Sequence, residues 1–179
     1  MTDYLYTPLE LAIIIRYHKM NAADYTEMLH NIFRYDNARL APGYQHDERK
    51  LMLDVMDKLN NLSDRRRYEC EQEEIARDMA YFGLSVDTAK SEVQYTCSHL
   101  VFKDLRLRIT YININRYAKI KLRTLLNQLG YKRRSSRIME YIFECLWVYG
   151  ILATYDGVKY CDLESIHLDE TIVFKVVTE

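Results

Sequence analysis

The stretch that decides the fold runs over residues 122–161 and reads LRTLLNQLGYKRRSSRIMEYIFECLWVYGILATYDGVKYC. Its first part carries leucines at helical spacing and predicts a helix that ends at Gly130; these are Leu122, Leu125, Leu126 and Leu129. Apolar residues recur at the same period from Ile138 to Tyr149, so a second helix is expected, which Ser135 or Ser136 can cap and Gly150 ends. Two helices separated by a tight break therefore form the centre of this region.

A hairpin is expected after the second helix. Ile151–Tyr155 and Val158–Cys161 flank Asp156-Gly157, a strong signal for a two-residue hairpin turn. Residues 171–177 are rich in β-branched side chains and predict a further strand.

The segment before the first of these helices has the period of a strand. Leu105–Tyr111 alternates strictly between apolar and polar residues, which predicts a half-buried strand with Arg106 and Arg108 on its solvent-exposed face. The predicted order is therefore strand, helix, tight break, helix, hairpin.

Upstream, the patterns are helical. Helices are expected at residues 9–17, from Asp24, from Asp47, and from Ser63 or Asp64 to Gly83, with another from about residue 86 to residue 100. The fold class is thus mainly α with a small β component, α+β in its C-terminal part. We expect a helical region over residues 1–102 for packing, dimerisation or partner binding, followed by a second domain over residues 103–179.

This order of elements resembles the winged helix-turn-helix superfamily over about residues 103–165. In that comparison residues 125–130 end the second helix, residues 135–149 form the third, recognition-type helix, and Asp156-Gly157 is the tip of the wing. The resemblance implies that the third helix enters the major groove of DNA and that the wing touches the backbone or the minor groove. Residues 74–90 resemble a helix-turn-helix only vaguely, since Gly83 follows Ala76 by seven positions, and we interpret them as two packed helices.

The charge distribution favours the same region for nucleic-acid binding. The formal net charge is only −1, yet residues 105–139 hold ten basic residues and no acidic one, between segments of net −5 and −6. Clustered basic charge is typical of a phosphate-binding surface, although a solvated basic face that pairs with the acidic flanks has the same composition. The candidate nucleic-acid-binding residues are Arg116, Lys119, Lys121, Arg123, Lys132, Arg133, Arg134, Ser135, Ser136, Arg137 and Lys159.

Three acidic side chains oppose this interpretation. Glu140 and Glu144 lie on the exposed side of the predicted third helix, and Asp156 lies at the predicted wing tip. We therefore expect a non-enzymatic DNA-binding protein, a transcriptional regulator that binds double-stranded DNA as a homodimer or with a protein partner through its helical region. The alternative is an interaction or adaptor protein in which the winged helix is only a scaffold.

The sequence predicts no catalytic residue, cofactor or metal site. It contains no phosphate loop, nucleophile elbow or H-E-x-x-H pattern, and its four cysteines (Cys70, Cys97, Cys145 and Cys161) form no C-x-x-C pair. The longest apolar run, Cys145–Ala153, is far shorter than the roughly 20 residues needed to cross a bilayer. Residues 1–4 do not begin a signal peptide, so we expect no membrane partner and an intracellular location, in the cytoplasm or with the nucleoid or nucleus.

Overall fold

A computed structural model describes residues 5–62 and 94–177 of the chain. The chain divides into two units, one of residues 3–100 and one built on residues 101–179, and the division falls inside a helix. The predicted helix from Ser63 or Asp64 to Gly83, the pattern of residues 74–90 and the start of the predicted helix at residue 86 lie outside the described residues.

The described part of the first unit is helical. It contains α1 (Pro8–Tyr17), α2 (Ala22–Asp36), a 3-10 turn (Asn37–Arg39) and α3 (Glu48–Asn61). Asp47 caps α3 as predicted, with its carboxylate accepting from the N–H of Lys50. Asp24, however, does not cap α2: Asn21 does, because its side-chain oxygen accepts from the N–H of Asp24.

Both α1 and α2 pack against α3, and the core of this unit lies between them. The sequence of α1 is apolar on nearly every side, and Leu11 and Ile14 are completely buried. At the far end of α1, Arg16 donates from Nη1 and Nη2 to the carbonyls of Leu62 and Leu59, at 3.0 and 2.7 Å. These bonds occupy carbonyl groups that the end of α3 leaves without helical partners.

The second unit begins with helix where the sequence predicted a strand. α4 (Gln94–Leu107) continues into a π-helical turn (Arg108–Ile112), so the prediction of a strand over residues 105–111 is wrong. The prediction of a solvent-exposed Arg106 is wrong as well, because its side chain is only 7% exposed and its Nη1 donates to the carbonyl of Tyr149 at 3.1 Å. Side chains at both odd and even positions are buried here, because neighbouring elements enclose the helix. The alternation of apolar and polar residues therefore does not mark one buried and one exposed face, as it would in a strand.

The remaining elements form a small sheet and two helices. They are β1 (Ala118–Lys121), α5 (Leu122–Gln128), α6 (Ser136–Val148), β2 (Ile151–Thr154) and β3 (Thr171–Val176). The strands make one antiparallel sheet in the order β1-β3-β2, with Ile120 opposite Ile172 and Ala153 opposite Phe174. The chain is therefore mainly helical with a small β component, as the sequence predicts.

The predicted hairpin is correct at its turn and wrong in its second strand. Gly157 adopts a φ of +91°, and residues 154 and 160 form a single antiparallel bridge around the turn. The strand that pairs along β2 is β3, not residues 158–161. Thr154 and Asp156 explain the short pairing, because their side chains accept the N–H groups of residues 157, 158 and 159 and draw the backbone into a compact turn.

Candidate nucleic-acid interface

The N-terminus of α6 is the centre of the candidate interface. Ser135, one of the two predicted caps, begins it, with its hydroxyl oxygen accepting from the N–H of Ile138 at 3.4 Å. Ser136 and Arg137 follow in the first turn and are exposed, and the N–H groups of a first turn have no partner within the helix. Such amides and the positive end of the helix dipole favour an anion.

Three cations surround this helix start without a counter-ion. Lys132, Arg133 and Arg137 are exposed, and within the described parts of the chain no carboxylate forms an ion pair with them. Their charge is therefore available to an external anion. We call Lys132, Arg133 and Arg137 the α6 cations.

Arg134 is next to these residues in sequence but has a structural role. Its Nη1 donates to the carbonyl of Ile166 at 2.6 Å and to that of Leu163 at 3.3 Å. It thus connects the segment before the N-cap of α6 to the long loop between β2 and β3, which spans residues 155–170.

Arg123, in the first turn of α5, is paired rather than free. Its Nε and Nη2 donate to the two carboxylate oxygens of Asp169 at 2.8 and 2.9 Å. The hydrogen bond with Arg123 lowers the pKa of Asp169, and the same contact raises the pKa of Arg123. The amides at the start of α5 are also used, since Leu122 and Arg123 donate N–H to the carbonyls of Glu170 and Leu168. The start of α5 is thus less available to an anion than the start of α6.

A second group of basic residues lies on and before β1. Lys119 and Lys121 are exposed and occupy alternate positions of this edge strand, so both project from one face of the sheet. The ammonium of Lys119 lies 5.5 Å from the ring centre of Tyr117. Arg116 is exposed in the preceding loop, with a φ of +52°.

The turn after β2 is held by local hydrogen bonds and by one contact from a distant strand. Lys159 is exposed there, whereas the carboxylate of Asp156 accepts the N–H groups of Val158 and Lys159, both at 3.0 Å, which lowers its pKa. Lys175, on β3, donates from Nζ to the carbonyl of Gly157 at 2.7 Å. Nothing in the local pattern around Lys175 could have identified this contact, because its partner is 18 residues away.

Acidic residues lie close to these cations. The loop that bonds to Arg134 and to the start of α5 exposes four carboxylates, those of Asp162, Glu164, Asp169 and Glu170. Their field opposes the approach of a polyanion, and only Asp169 is neutralised by an arginine.

The exposed face of α6 changes character along its length. It begins with Arg137, continues with Glu140 and Glu144, and ends with Trp147, whose side chain is 78% exposed. Beside it, the ring of Phe143 stacks on that of Tyr160 from the long loop, with centroids 6.3 Å apart. We call the face defined by Arg137, Glu140, Glu144 and Trp147 the outer face of α6.

The described cysteines are unsuited to nucleophilic chemistry. Cys145 and Cys161 are buried free thiols, and burial raises the pKa of Cys145 to about 12 and that of Cys161 to about 11. Both therefore stay protonated at neutral pH. Over residues 5–62 and 94–177 no group of three His, Cys, Asp or Glu side chains is arranged to hold a metal ion.

Within the same residues, no helix has the length and apolar character needed to cross a bilayer. Comparison with known proteins gives no match for this chain among family models, curated proteins or solved structures.

Proposed function

We propose that this chain is a non-enzymatic DNA-binding protein, a transcriptional regulator that contacts duplex DNA through the start of α6. The observation that carries the proposal is the set of α6 cations, which are exposed around the first turn of a 13-residue helix and have no ion-pair partner within residues 5–62 and 94–177. Arginine and lysine side chains with helix-start amides form the usual contacts to DNA phosphates, which set the position of a protein on the duplex.

The order of elements supports a winged helix-turn-helix for this unit. α4, β1, α5, α6, β2 and β3 follow one another, and only residues 129–135 separate α5 from α6. The strand before α5 lies at residues 118–121 rather than 105–111, so the order expected from the resemblance is kept although the position changes. In this arrangement α6 is the recognition-type helix and residues 155–170 form the wing.

In this proposal the side chain of Arg134 positions the wing and does not contact DNA. Because its guanidinium holds the carbonyls of Leu163 and Ile166, the wing is fastened beside the start of α6. We assign additional phosphate contacts to three further exposed lysines, Lys159 on the wing and Lys119 and Lys121 on β1.

The test is a fluorescence-anisotropy titration of a labelled random duplex with the full chain at about 50 and about 200 mM salt. We expect an apparent Kd that rises steeply with salt. Changing Lys132 and Arg133 together to alanine should weaken binding and lower the slope of log Kd against log salt by about 2, since each lost phosphate contact lowers it by about 0.9.

The matched control changes two exposed cations of the first unit, Lys19→Ala with Arg49→Ala, which removes the same charge elsewhere. Neither side chain takes part in an ion pair in the described residues. If the control lowered the salt slope as much as the Lys132 and Arg133 double variant, DNA affinity would depend only on the overall charge of the protein. The proposal that DNA binds at the start of α6 would then be wrong.

A second candidate function is supported by the outer face of α6. Glu140, Glu144 and the exposed Trp147 are typical of a protein contact, because aromatic side chains are enriched at interfaces and carboxylates are repelled by phosphates. On this hypothesis the unit is an adaptor, and the same titration would show no salt-dependent binding to any duplex.

A further inference from the structure

The register of the sheet in the second unit shows which backbone groups of β1 point away from it. β3 lies in the middle, and hydrogen-bonded and non-bonded residue pairs alternate along an antiparallel ladder. Leu122 donates its N–H to the carbonyl of Glu170, two positions beyond the pair of Ile120 with Ile172. The even-numbered residues of β1 therefore bond to β3, and the odd-numbered residues direct their N–H and carbonyl groups to the outer edge.

The outer edge of β2, on the other side of the sheet, is partly closed by the wing. Val177 donates its N–H to the carbonyl of Gly150 at 2.9 Å, so the even-numbered residues of β2 bond to β3 and Ala153 points outward. The carbonyl of Ala153 accepts the N–H of Cys161 at 3.0 Å. An outward group of β2 is thus satisfied by the chain itself.

The outer edge of β1 has no such cover from the residues that the structure describes. The N–H and the carbonyl of Lys119 and the N–H of Lys121 point outward, and no described residue forms a hydrogen bond with them. The next carbonyl along this edge, that of Tyr117, accepts from Nδ2 of Asn113 at 2.7 Å. A donor, an acceptor and a second donor therefore follow one another at the spacing of an extended chain. We call these three groups the open edge of β1.

The side chains of β1 differ between the two faces of the sheet. Lys119 and Lys121 are exposed on one face, and Ala118 and Ile120 are buried on the other. A strand added at the open edge would place every second side chain beside the lysines and the others beside the border of the apolar core. A second copy of β1 would bring lysines beside lysines, which is unfavourable, whereas carboxylates at those positions would be attracted.

We propose that the open edge of β1 is a docking site for an acidic peptide in an extended conformation, which joins the sheet as a fourth strand. The backbone groups select an extended polypeptide, because the donor, acceptor and donor match the main chain of a strand. Lys119 and Lys121 select acidic side chains at alternate positions, with apolar side chains between them. This inference goes beyond DNA binding, and a duplex that used the same two lysines would compete with the peptide.

The number of contacts sets the expected affinity. Three backbone hydrogen bonds and two exposed ion pairs each contribute little in water, and the peptide loses conformational freedom when it binds. We therefore expect a dissociation constant on the order of 100 µM.

The experiment is a ¹H–¹⁵N NMR titration of the full chain with a peptide of about eight residues that alternates glutamate and valine, up to about 2 mM. The amide protons of Lys119 and Lys121 should shift to low field, because each gains a carbonyl acceptor. The amide proton of Ile120, which already bonds to β3, should shift less.

Two matched peptides separate backbone pairing from charge. The same peptide with N-methyl groups on the backbone nitrogens that face β1 keeps every charge but cannot donate to the carbonyl of Lys119. It should bind about 10-fold more weakly or worse. A peptide that alternates lysine and valine should not bind.

Variants at Lys121 test the same point on the protein. Lys121 has a φ of −71°, which a proline ring adopts, and its N–H points away from β3, so Lys121→Pro removes the outward donor and leaves the bonds to β3 in place. Lys121→Ala removes only the charge and should raise the dissociation constant about threefold, against about 10-fold or more for Lys121→Pro. Lys19→Ala, in the first unit, should leave it unchanged. Circular dichroism should show wild-type helix content for all three.

Three outcomes overturn the proposal. The first is a titration in which neither the Lys119 nor the Lys121 amide shifts. The second is an N-methylated peptide that binds as tightly as the unmodified one, which would mean that charge alone attracts it. The third is a shift of the same amides when the chain is diluted without peptide, which would assign the edge to a second copy. No sample contains nucleic acid, so failure here would leave the proposed DNA binding untouched.

Discussion

Asp169 is the acidic side chain whose ionisation depends most clearly on one neighbour. Its two carboxylate oxygens accept from Nε and Nη2 of Arg123, and this contact lowers its pKa. A carboxyl with a lowered pKa in the folded state contributes stability above its unfolded pKa, about 3.9, and that contribution is lost as the pH falls through the lower folded value. The pair therefore weakens only in acid.

Replacing Arg123 with glutamine should raise the pKa of Asp169 toward its ordinary value, because the hydrogen bonds and the nearby positive charge are both lost. A carboxyl-detected NMR titration measures this shift directly. The unfolding free energy of the variant should also depend less on pH below about pH 4.

Asp156 is the internal control for this titration. Its pKa is lowered by the backbone N–H groups of Lys159 and Val158 rather than by an arginine, so it should not change in the variant. If Asp169 titrated at the same pH in both proteins, the ion pair would not form in solution.

The sequence could identify the basic segment but not the role of each cation. Arg106, Arg123 and Arg134 bond to residues 43, 46 and up to 32 positions away, and such partners are set by the tertiary fold. Lys132, Arg133 and Arg137 have no such partner among the described residues. Local properties, such as the cap at the start of α6, were predictable because the capping Ser135 and the N–H donor of Ile138 lie three residues apart.

At the scale of elements, the turn between β2 and β3 combines a required glycine with a long-range contact. Gly157 has a φ of +91°, and a β-carbon at this position would lie 3.1 Å from Nζ and 3.3 Å from Cε of Lys175. A side chain here would thus strain the backbone and displace the lysine that bonds to the carbonyl of the same residue.

Gly157→Ala should lower the free energy of unfolding by about 1–2 kcal/mol, which combines the cost of a left-handed backbone with the weakened lysine contact. Urea denaturation of the full chain followed by circular dichroism measures the change. Val158→Ala is the neighbouring control, because its side chain is 83% exposed and should change stability by less than about 0.5 kcal/mol. Equal stability of both variants would contradict the described turn.

The elements that the sequence predicted correctly are those defined by local signals. Three glycines lie at helix ends or in a turn, where the backbone needs a positive φ, and all three have one: Gly130, Gly150 and Gly157. The pairing of β3 with both β1 and β2 depends on contacts over tens of residues and left no local signal. The alternation of residues 105–111 was misleading because a helix buried on several sides does not show a single apolar stripe.

At the scale of the whole molecule, the nearly neutral chain separates its charges into regions of opposite sign. The formal net charge is −1, and the basic segment 105–139 is followed by a strongly acidic one. The fold places part of the acidic segment beside the basic one, because the loop of residues 162–170 bonds to Arg134 and to the start of α5. These carboxylates limit binding to polyanions in general.

If the chain binds DNA as proposed, neutralising one of these carboxylates should strengthen that binding. We expect Glu164→Gln to lower the apparent Kd for random duplex about two- to threefold at about 50 mM salt, and the effect should disappear near about 1 M salt, where the Debye length is about 3 Å. The anisotropy titration measures both values. Glu27→Gln, on the exposed side of α2, is the matched control and should leave the Kd unchanged. An equal gain from Glu27→Gln would show that only total charge matters.

The coarse fold class of the described residues, mainly helical with a small sheet, could be predicted from periodicity, since helices leave strong signals over ten or more residues. Only the structure could identify the free cations and the acidic loop that oppose each other in the second unit. Nothing in the sequence shows that residues 163–170 return to the starts of α5 and α6.

Trp147 has a practical consequence for spectroscopy. It is the only tryptophan in the chain and its indole is largely in water. The intrinsic emission therefore reports on one spot, the end of the outer face of α6, and is accessible to a soluble quencher such as iodide. A partner that covers this spot shifts the emission to the blue and protects it from quenching, so the occupancy of α6 can be followed without attaching a dye.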